Sequence, residues 1–92
     1  MDTFTFTGVI LGEGNDYGAL CVELDVASQG HTMEEAKAKL LEAVSLYVES
    51  AIESNLPLIR PTPPQEDPRQ TAPGDVVEVF SFKVDVAVRA YA

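Results

Sequence analysis

Hydrophobic and polar residues alternate in the first part of the chain. The segment from Thr3 to Leu11 places two phenylalanines and Ile10 on one face, with the threonines and Val9 on the other. Such alternation of aromatic and β-branched residues predicts a strand. The glycine, asparagine and aspartate residues at 12–16 favour a turn. Alternation then resumes to predict a second strand of a hairpin, from Tyr17 to Leu24, with Leu20, Val22 and Leu24 facing one way.

A short third strand is predicted from Val26 to Gln29, and a long helix follows it. Thr32 and Glu35 form a capping box, in which the threonine caps the Glu35 amide and the glutamate reaches back. The helix is predicted from Met33 to Ser54, about 33 Å at ~1.5 Å per residue. Apolar residues recur at helical spacing, at Ala36, Leu40, Ala43, Val44, Tyr47, Ala51 and Ile52. We expect this face to pack on the sheet through Leu40, Val44, Tyr47 and Ala51.

The composition changes after the helix, because all six prolines fall between Pro57 and Pro73. Residues 56–74 are therefore predicted to be a partly extended connector that is neither helix nor central strand. A passive spacer is favoured over an SH3-type ligand, since most proline-rich stretches are spacers.

The last segment, from Val76 to Tyr91, carries the strongest strand pattern, with Phe80, Phe82, Val84, Val86, Val88 and Ala90 on one face. The chain is thus predicted to be one α+β domain, residues 1–92, with a small, mostly antiparallel sheet in the order β-β-β-α-β and one long helix on one face. A strand of this length exceeds the typical ~5–6 residues. Because a long apolar edge strand invites pairing, we expect a homodimer or higher homo-oligomer.

The charge is strongly negative: 15 acidic and 6 basic residues give a net charge of −9. Nucleic-acid binding depends on lysine and arginine neutralising phosphates, so direct nucleic-acid binding is not expected. A negative field favours a basic protein partner. The alternative is that the acidity only keeps a small protein soluble.

Cys21 is the only cysteine, which excludes an internal disulfide and favours a reducing compartment. The amino-terminal sequence predicts no signal peptide, and no apolar run approaches the ~18 residues of a membrane span. We therefore expect a cytoplasmic protein with no membrane partner.

Catalysis is not expected. Metal-dependent nuclease chemistry needs clustered carboxylates, whereas Asp16 suits a turn and Asp85 the solvated face of a strand. His31 precedes a helix cap, and Cys21 suits a packed position in a strand rather than a nucleophile. No cofactor motif or metal-ligand spacing occurs. The protein is therefore predicted to be a non-enzyme that holds neither a cofactor nor a metal.

The stretch from Tyr17 to Ile52 resembles the HicB-like family, the antitoxin side of HicA–HicB toxin–antitoxin pairs. The residues that carry the resemblance are GALCVEL at 18–24 and SQGHTMEEA at 28–36, followed by a leucine- and tyrosine-bearing helix, a proline and a final strand. The resemblance implies a partial ribonuclease-H-like fold, dimerisation, and masking of a small RNA-cleaving toxin. Two departures are visible. Residues 23–27 read ELDVA where the family has Pro-Asp-Leu-Pro-Gly, and no DNA-binding domain follows the last strand, so repression of its own operon is not expected.

The function predicted from the sequence is neutralisation of a small basic ribonuclease toxin of the HicA type. The alternatives are a stand-alone binding module of the same fold, for another protein or small ligand, and a nuclease. Acidic and polar residues in the hairpin loop, the segment from residue 23 to 31 and the outer helix face are the predicted partner contacts: Glu13, Asp16, Glu23, Asp25, Gln29, His31, Glu42 and Glu49. The alternative for each acid is an ordinary solvated surface residue.

Overall fold

The computed structural model describes residues 3–85 and 90–91, in which five antiparallel strands form one sheet with one long helix on one face. The strands and helices are β1 (Thr3–Glu13), β2 (Asp16–Cys21), β3 (Val26–Gly30), α1 (Met33–Glu53), α2 (Pro68–Thr71), β4 (Val76–Asp85) and β5 (Ala90–Tyr91). The strand order in the sheet is β3-β2-β1-β4-β5, and the long helix is α1. The α+β class and the small antiparallel sheet with one long helix are confirmed. The narrower ribonuclease-H-like assignment stays a prediction.

β1 and β2 form a tight hairpin in which Glu13 pairs with Asp16. Two residues remain for the turn, and Gly14, the first of them, has a φ of 63°. A glycine at this position suits a type II′ turn, whose twist matches that of the flanking strands. β3 then pairs antiparallel with β2, which confirms the predicted third strand.

Both ends of α1 are capped. The Thr32 hydroxyl accepts a hydrogen bond from the Glu35 amide at 3.0 Å, as predicted. Glu35 reaches back one residue further than the capping box requires, because its carboxylate accepts from the amide of His31. At the other end Asn55 has a φ of 54°, and the Leu56 amide donates to the Ala51 carbonyl at 2.9 Å. These features form a Schellman motif, which ends the helix.

The hydrophobic core lies between α1 and the sheet, and most of its predicted residues are correct. Leu40 and Val44 are fully buried, Ala51 is nearly so, and Tyr47 packs at the core edge. Ile52, which helical spacing also predicts on this face, lies in the last turn of α1 and is 50% exposed. Other core residues include Phe6, Ile10, Ala19, Cys21, Leu24, Ala36, Val48, Phe82 and Val84.

The predicted facing of the second strand is wrong, because the strand ends at Cys21. Residues 22–25 form a turn, in which Asp25 has a φ of 55°. This turn breaks the alternation, so Leu24 joins the core while Leu20 points to the opposite face of the sheet. A period of two persists only while the chain stays extended.

The last segment is not one long strand. β4 ends at Asp85, and β5 pairs antiparallel with it, so that Lys83 lies opposite Tyr91. The predicted positions Val86 and Val88 lie outside the described residues. The pairing of β5 covers the edge of β4 only at Lys83 and Val84, so within the described part of the chain residues 76–82 have no neighbouring strand on that side. The homodimer itself stays a prediction.

The proline-rich segment is more structured than predicted. Asp67 caps the short helix α2, whose first residue is Pro68, a position where proline is well tolerated. One-turn 3₁₀ helices flank α2 at Pro64–Glu66 and Pro73–Asp75. The segment is fastened to the β2–β3 turn, since the Thr62 amide donates to the Val22 carbonyl at 2.8 Å. It then crosses the sheet face opposite α1, where α2 contacts β1.

Among residues 3–85 and 90–91, no helix is long and apolar enough to cross a lipid bilayer.

Candidate partner-binding surface

Four of the eight predicted contact residues lie together at one end of the sheet. Glu13 and Asp16 flank the β1–β2 turn, and the pairing of Tyr17 with Gly30 brings the end of β3 beside them. Gln29 and His31 therefore lie near Glu13 and Asp16, although 13 or more residues separate the two pairs in sequence. The backbone register alone produces this grouping.

His31 and Asp16 form an exposed ion pair at this end. The His31 Nδ1 atom lies 2.8 Å from Asp16 Oδ1, and their side chains are 83% and 54% exposed. The hydrogen bond to Asp16 raises the pKa of His31 above its ordinary value, with help from the Asp16 and Glu35 charges. The His31 amide in turn lowers the pKa of Glu35, and Lys39 lies 3.5 Å from the Glu35 carboxylate. Together with Gln29 and Gly30, these four side chains line a small concavity of about 190 Å³.

Glu23 and Asp25 lie at the opposite end of the sheet and have partners within the chain. The Glu23 carboxylate accepts from both the amide and the hydroxyl of Thr7, each at 2.8 Å. Asp25 accepts from the Thr62 hydroxyl at 2.9 Å. These bonds hold the β2–β3 turn to β1 and to the proline-rich segment. A structural role for the two carboxylates is thus visible, and their contact with a partner stays a prediction.

Glu42 and Glu49 are exposed on the side of α1 that faces away from the sheet. Because residues seven apart share a helix face, they are aligned about 10 Å apart along the axis. Glu35 and Glu53 extend the row at both ends, and Leu46, 59% exposed, lies between Glu42 and Glu49. We call this row, Glu35, Glu42, Glu49 and Glu53 with Leu46 among them, the acidic stripe.

Among residues 3–85, most of the basic side chains are engaged away from the stripe. Lys37 bonds Glu78 at 2.6 Å and lies over the Phe80 ring. Arg69 forms a bidentate pair with Asp67, and Arg60 lies over the ring of Tyr47. Lys39 contacts only the first acid of the stripe. Within the described part of the chain, no ion pair or side-chain hydrogen bond reaches Glu42, Glu49 or Glu53.

A larger groove, which sequence reasoning missed, lies on the sheet face opposite α1. It measures about 550 Å³ and runs between β3 and the proline-rich segment. We call it the β3 groove; its lining residues are Leu11, Glu13, Ala19, Leu20, Ala27, Ser28, Gln29, Glu66 and Pro68. The one signal in the sequence is the pair Leu11 and Leu20, two apolar residues on the face away from the helix. The wall of the groove is not predictable, because it forms only when the proline-rich segment folds back.

Gly18 shapes one rim of the β3 groove. A Cβ atom on Gly18 would overlap the carboxylate of Glu13, so the Glu13 side chain lies across β2 where the strand has no side chain. The carboxylate is thereby held beside the apolar floor that Leu11 and Leu20 provide. Glycine at this position therefore places a negative charge at the groove.

Cys21 is buried and poorly suited to nucleophilic chemistry. Burial raises the pKa of its thiol to about 12, and the nearby Glu23 charge acts in the same direction. A thiol is reactive as the thiolate, which this environment disfavours. Among residues 3–85 and 90–91, no group of three or more histidine, cysteine, aspartate or glutamate side chains is arranged to hold a metal ion. Whether the protein is an enzyme is not decided by these observations, and its non-enzymatic character stays a prediction.

Comparison with protein families, with curated proteins and with solved structures finds no match for this chain. The resemblance to the HicB-like family therefore rests on the sequence motifs alone.

Proposed function

We propose that this protein is a cytoplasmic antitoxin of the HicB-like type, which binds a small basic ribonuclease toxin and blocks its RNA-binding surface. The observation that carries the proposal is the acidic stripe. Glu42, Glu49 and Glu53 have no ion pair or side-chain hydrogen bond within the described chain, while Lys37, Arg60 and Arg69 are engaged elsewhere. A basic protein is the partner that such a surface attracts.

The mechanism follows from charge. A ribonuclease holds RNA through lysine and arginine side chains that contact phosphates. Carboxylates of the stripe pair with those cations and exclude RNA from them. Leu46 adds an apolar contact in the middle of the row, where it is shielded from water once a partner is bound. The acids also accelerate association, since opposite fields steer two proteins together.

A stand-alone binding module is the second candidate, and the β3 groove favours it. About 550 Å³ lies within the range of pockets that hold small ligands, and its floor is apolar with few polar groups. In this alternative the chain binds a ligand or protein unrelated to a toxin. A homodimer is compatible with both candidates.

The test is a pull-down, at several salt concentrations, with any short basic protein that a neighbouring gene encodes. Binding should weaken as salt rises, because exposed charges are screened within ~8 Å at physiological ionic strength. Glu42→Lys and Glu49→Lys should each weaken capture. Asp75→Lys, with the same charge change at an exposed site away from the stripe, is the matched control. Capture that is insensitive to salt, and equal for all three variants, would contradict the proposal.

A further inference from the structure

The outer edge of β3 is open along the β3 groove. β3 ends the sheet, and within residues 3–85 and 90–91 no strand pairs with its far side. Each extended residue presents a backbone donor and acceptor at a strand edge, and an edge of this kind is a template for another strand. The other edge of the sheet is partly paired, because the chain's own short strand β5 lies beside Lys83 and Val84 of β4.

The side chains beside this edge define the chemistry of an occupant. Ala27 and Gln29 project from β3 to the groove side and are exposed, and half-buried Leu20 continues the floor on β2. Two carboxylates, Glu13 and Glu66, line the groove with this apolar floor. Neither has an ion pair or a side-chain hydrogen bond in the described chain. An extended segment with an apolar side chain between basic ones complements the groove.

We propose that a basic, extended segment of the protein partner adds to the outer edge of β3 as a sixth strand, with its lysine or arginine side chains beside Glu13 and Glu66. This inference rests on the proposed function and adds a second contact of the partner, on the sheet face opposite α1, to its contact with the acidic stripe. Backbone hydrogen bonds to β3 supply affinity, and alternate side chains in the groove supply specificity. A second copy of this chain fits poorly, because each copy carries a net charge of −9 and pairing would bring these acids together.

A pentapeptide probe tests the site without the natural partner. The capped peptide KTVTK places two lysines and a central valine on one side when extended, with the lysines about 13 Å apart at ~3.3 Å per residue. We expect amide signals of residues 26–30 to shift in nitrogen–proton correlation spectra, and some of these amides to become protected from hydrogen exchange. The acid-for-base peptide ETVTE should produce neither effect. Shifts confined to α1 would overturn the proposal.

Backbone pairing is separated from charge attraction by methylating the peptide nitrogens. A strand directs alternate N–H groups to opposite edges. Methylation of one alternate set should therefore abolish binding, whereas methylation of the other set should be tolerated. Equal binding of both isomers would show that only charge is recognised and would overturn the sixth-strand geometry.

Charge recognition is tested in the protein. Glu13→Gln with Glu66→Gln should weaken peptide binding about five-fold, as expected for the loss of two exposed ion pairs. The control Glu34→Gln with Asp75→Asn removes the same charge elsewhere and should change binding less than two-fold. Equal losses in both double variants would contradict the site.

If the natural partner is captured but its binding is insensitive to Glu13→Gln with Glu66→Gln, this inference fails while the antitoxin function stands. If the peptide binds as predicted but no basic partner is captured, the antitoxin function fails, whereas the strand-binding site at the edge of β3 is supported.

Discussion

The two faces of the sheet are buried in different ways. On one face, α1 packs its apolar side against the strands, and its residues Leu40 and Val44 are fully buried there. On the other face, the proline-rich segment is held by polar groups, such as Thr62 bonded to Asp25, and by a smaller apolar contact in which Val9 and Pro68 are buried. It covers only part of the sheet and leaves the β3 groove open. Stability is thus concentrated on the helix face, and the opposite face remains available for binding.

The largest expected effect is on the helix face. Leu40→Ala should lower the free energy of unfolding by about 2–5 kcal/mol, since it leaves a cavity beneath α1. Leu46→Ala makes the same chemical change at a site that is 59% exposed and should cost less than about 0.5 kcal/mol. Urea denaturation of both variants measures the difference. Equal losses would mean that the core face of α1 is misassigned.

The contact between α1 and β3 should tolerate no added atom. A Cβ atom on Gly30 would lie 2.5 Å from the Ala36 amide nitrogen, and backbone there cannot move without shifting the helix. We expect Gly30→Ala to destabilise the protein by about 1–3 kcal/mol, as overpacking does. Gly74 is the control, because a Cβ atom added there would have no neighbour within 4 Å. Thermal unfolding should show Gly74→Ala near wild type; a similarly small effect of Gly30→Ala would contradict the close packing.

The polar contacts that hold the proline-rich segment should contribute less to the free energy of unfolding than the core beneath α1. Asp67 is 6% exposed; it caps α2 by accepting from the Arg69 amide at 2.9 Å and also pairs with the Arg69 guanidinium. Asp67→Ala should cost about 1 kcal/mol, the usual effect of losing a helix cap. Glu66→Ala, at the exposed neighbouring position, should have little effect on the denaturation midpoint. If Asp67→Ala lowered the free energy of unfolding as much as Leu40→Ala, the two faces would not differ in their contribution to stability, and the comparison would be wrong.

The smallest expected effect concerns pH at the hairpin end. The pKa of His31 is raised above 6.5 by Asp16, so the protonated form is favoured in the folded chain. Stability from this pair is present below about pH 6.5 and is lost as the pH rises through the folded pKa. A proton NMR titration should give a pKa above 6.5 for His31, and Asp16→Asn should lower it. An unchanged value in that variant would show that Asp16 is not the cause.

Sequence patterns predicted the helix face well because α1 obeys a single rule over five turns. The Thr32 cap follows from the capping-box motif, and the buried positions Leu40, Val44 and Ala51 follow from helical spacing. The structure of the opposite face was not predicted, because it depends on turns that send the chain back across the sheet. Residues 22–25 break the alternation after Cys21, and β5 turns back on β4. Asp67 before Pro68 was the local signal for α2, but proline content alone suggested a spacer.

The candidate site was predictable in part. Glu13, Asp16, Gln29 and His31 follow as contacts from charge and position, and strand pairing brings them together. Glu66 could not be predicted as a contact. Its place in the β3 groove depends on the path of the proline-rich segment across the sheet. The bonds of Glu23 to Thr7 were also invisible, since they join residues 16 apart across the sheet.

Growth rescue is the most direct test of the antitoxin function. The product of the adjacent short gene would be expressed under an inducible promoter, with this chain supplied from a second plasmid. The account predicts that the product arrests growth, that this chain restores it, and that the double variant Glu42→Lys with Glu49→Lys restores it less well than Asp75→Lys at equal protein levels. A toxic product that this chain neither neutralises nor retains during purification would contradict the account.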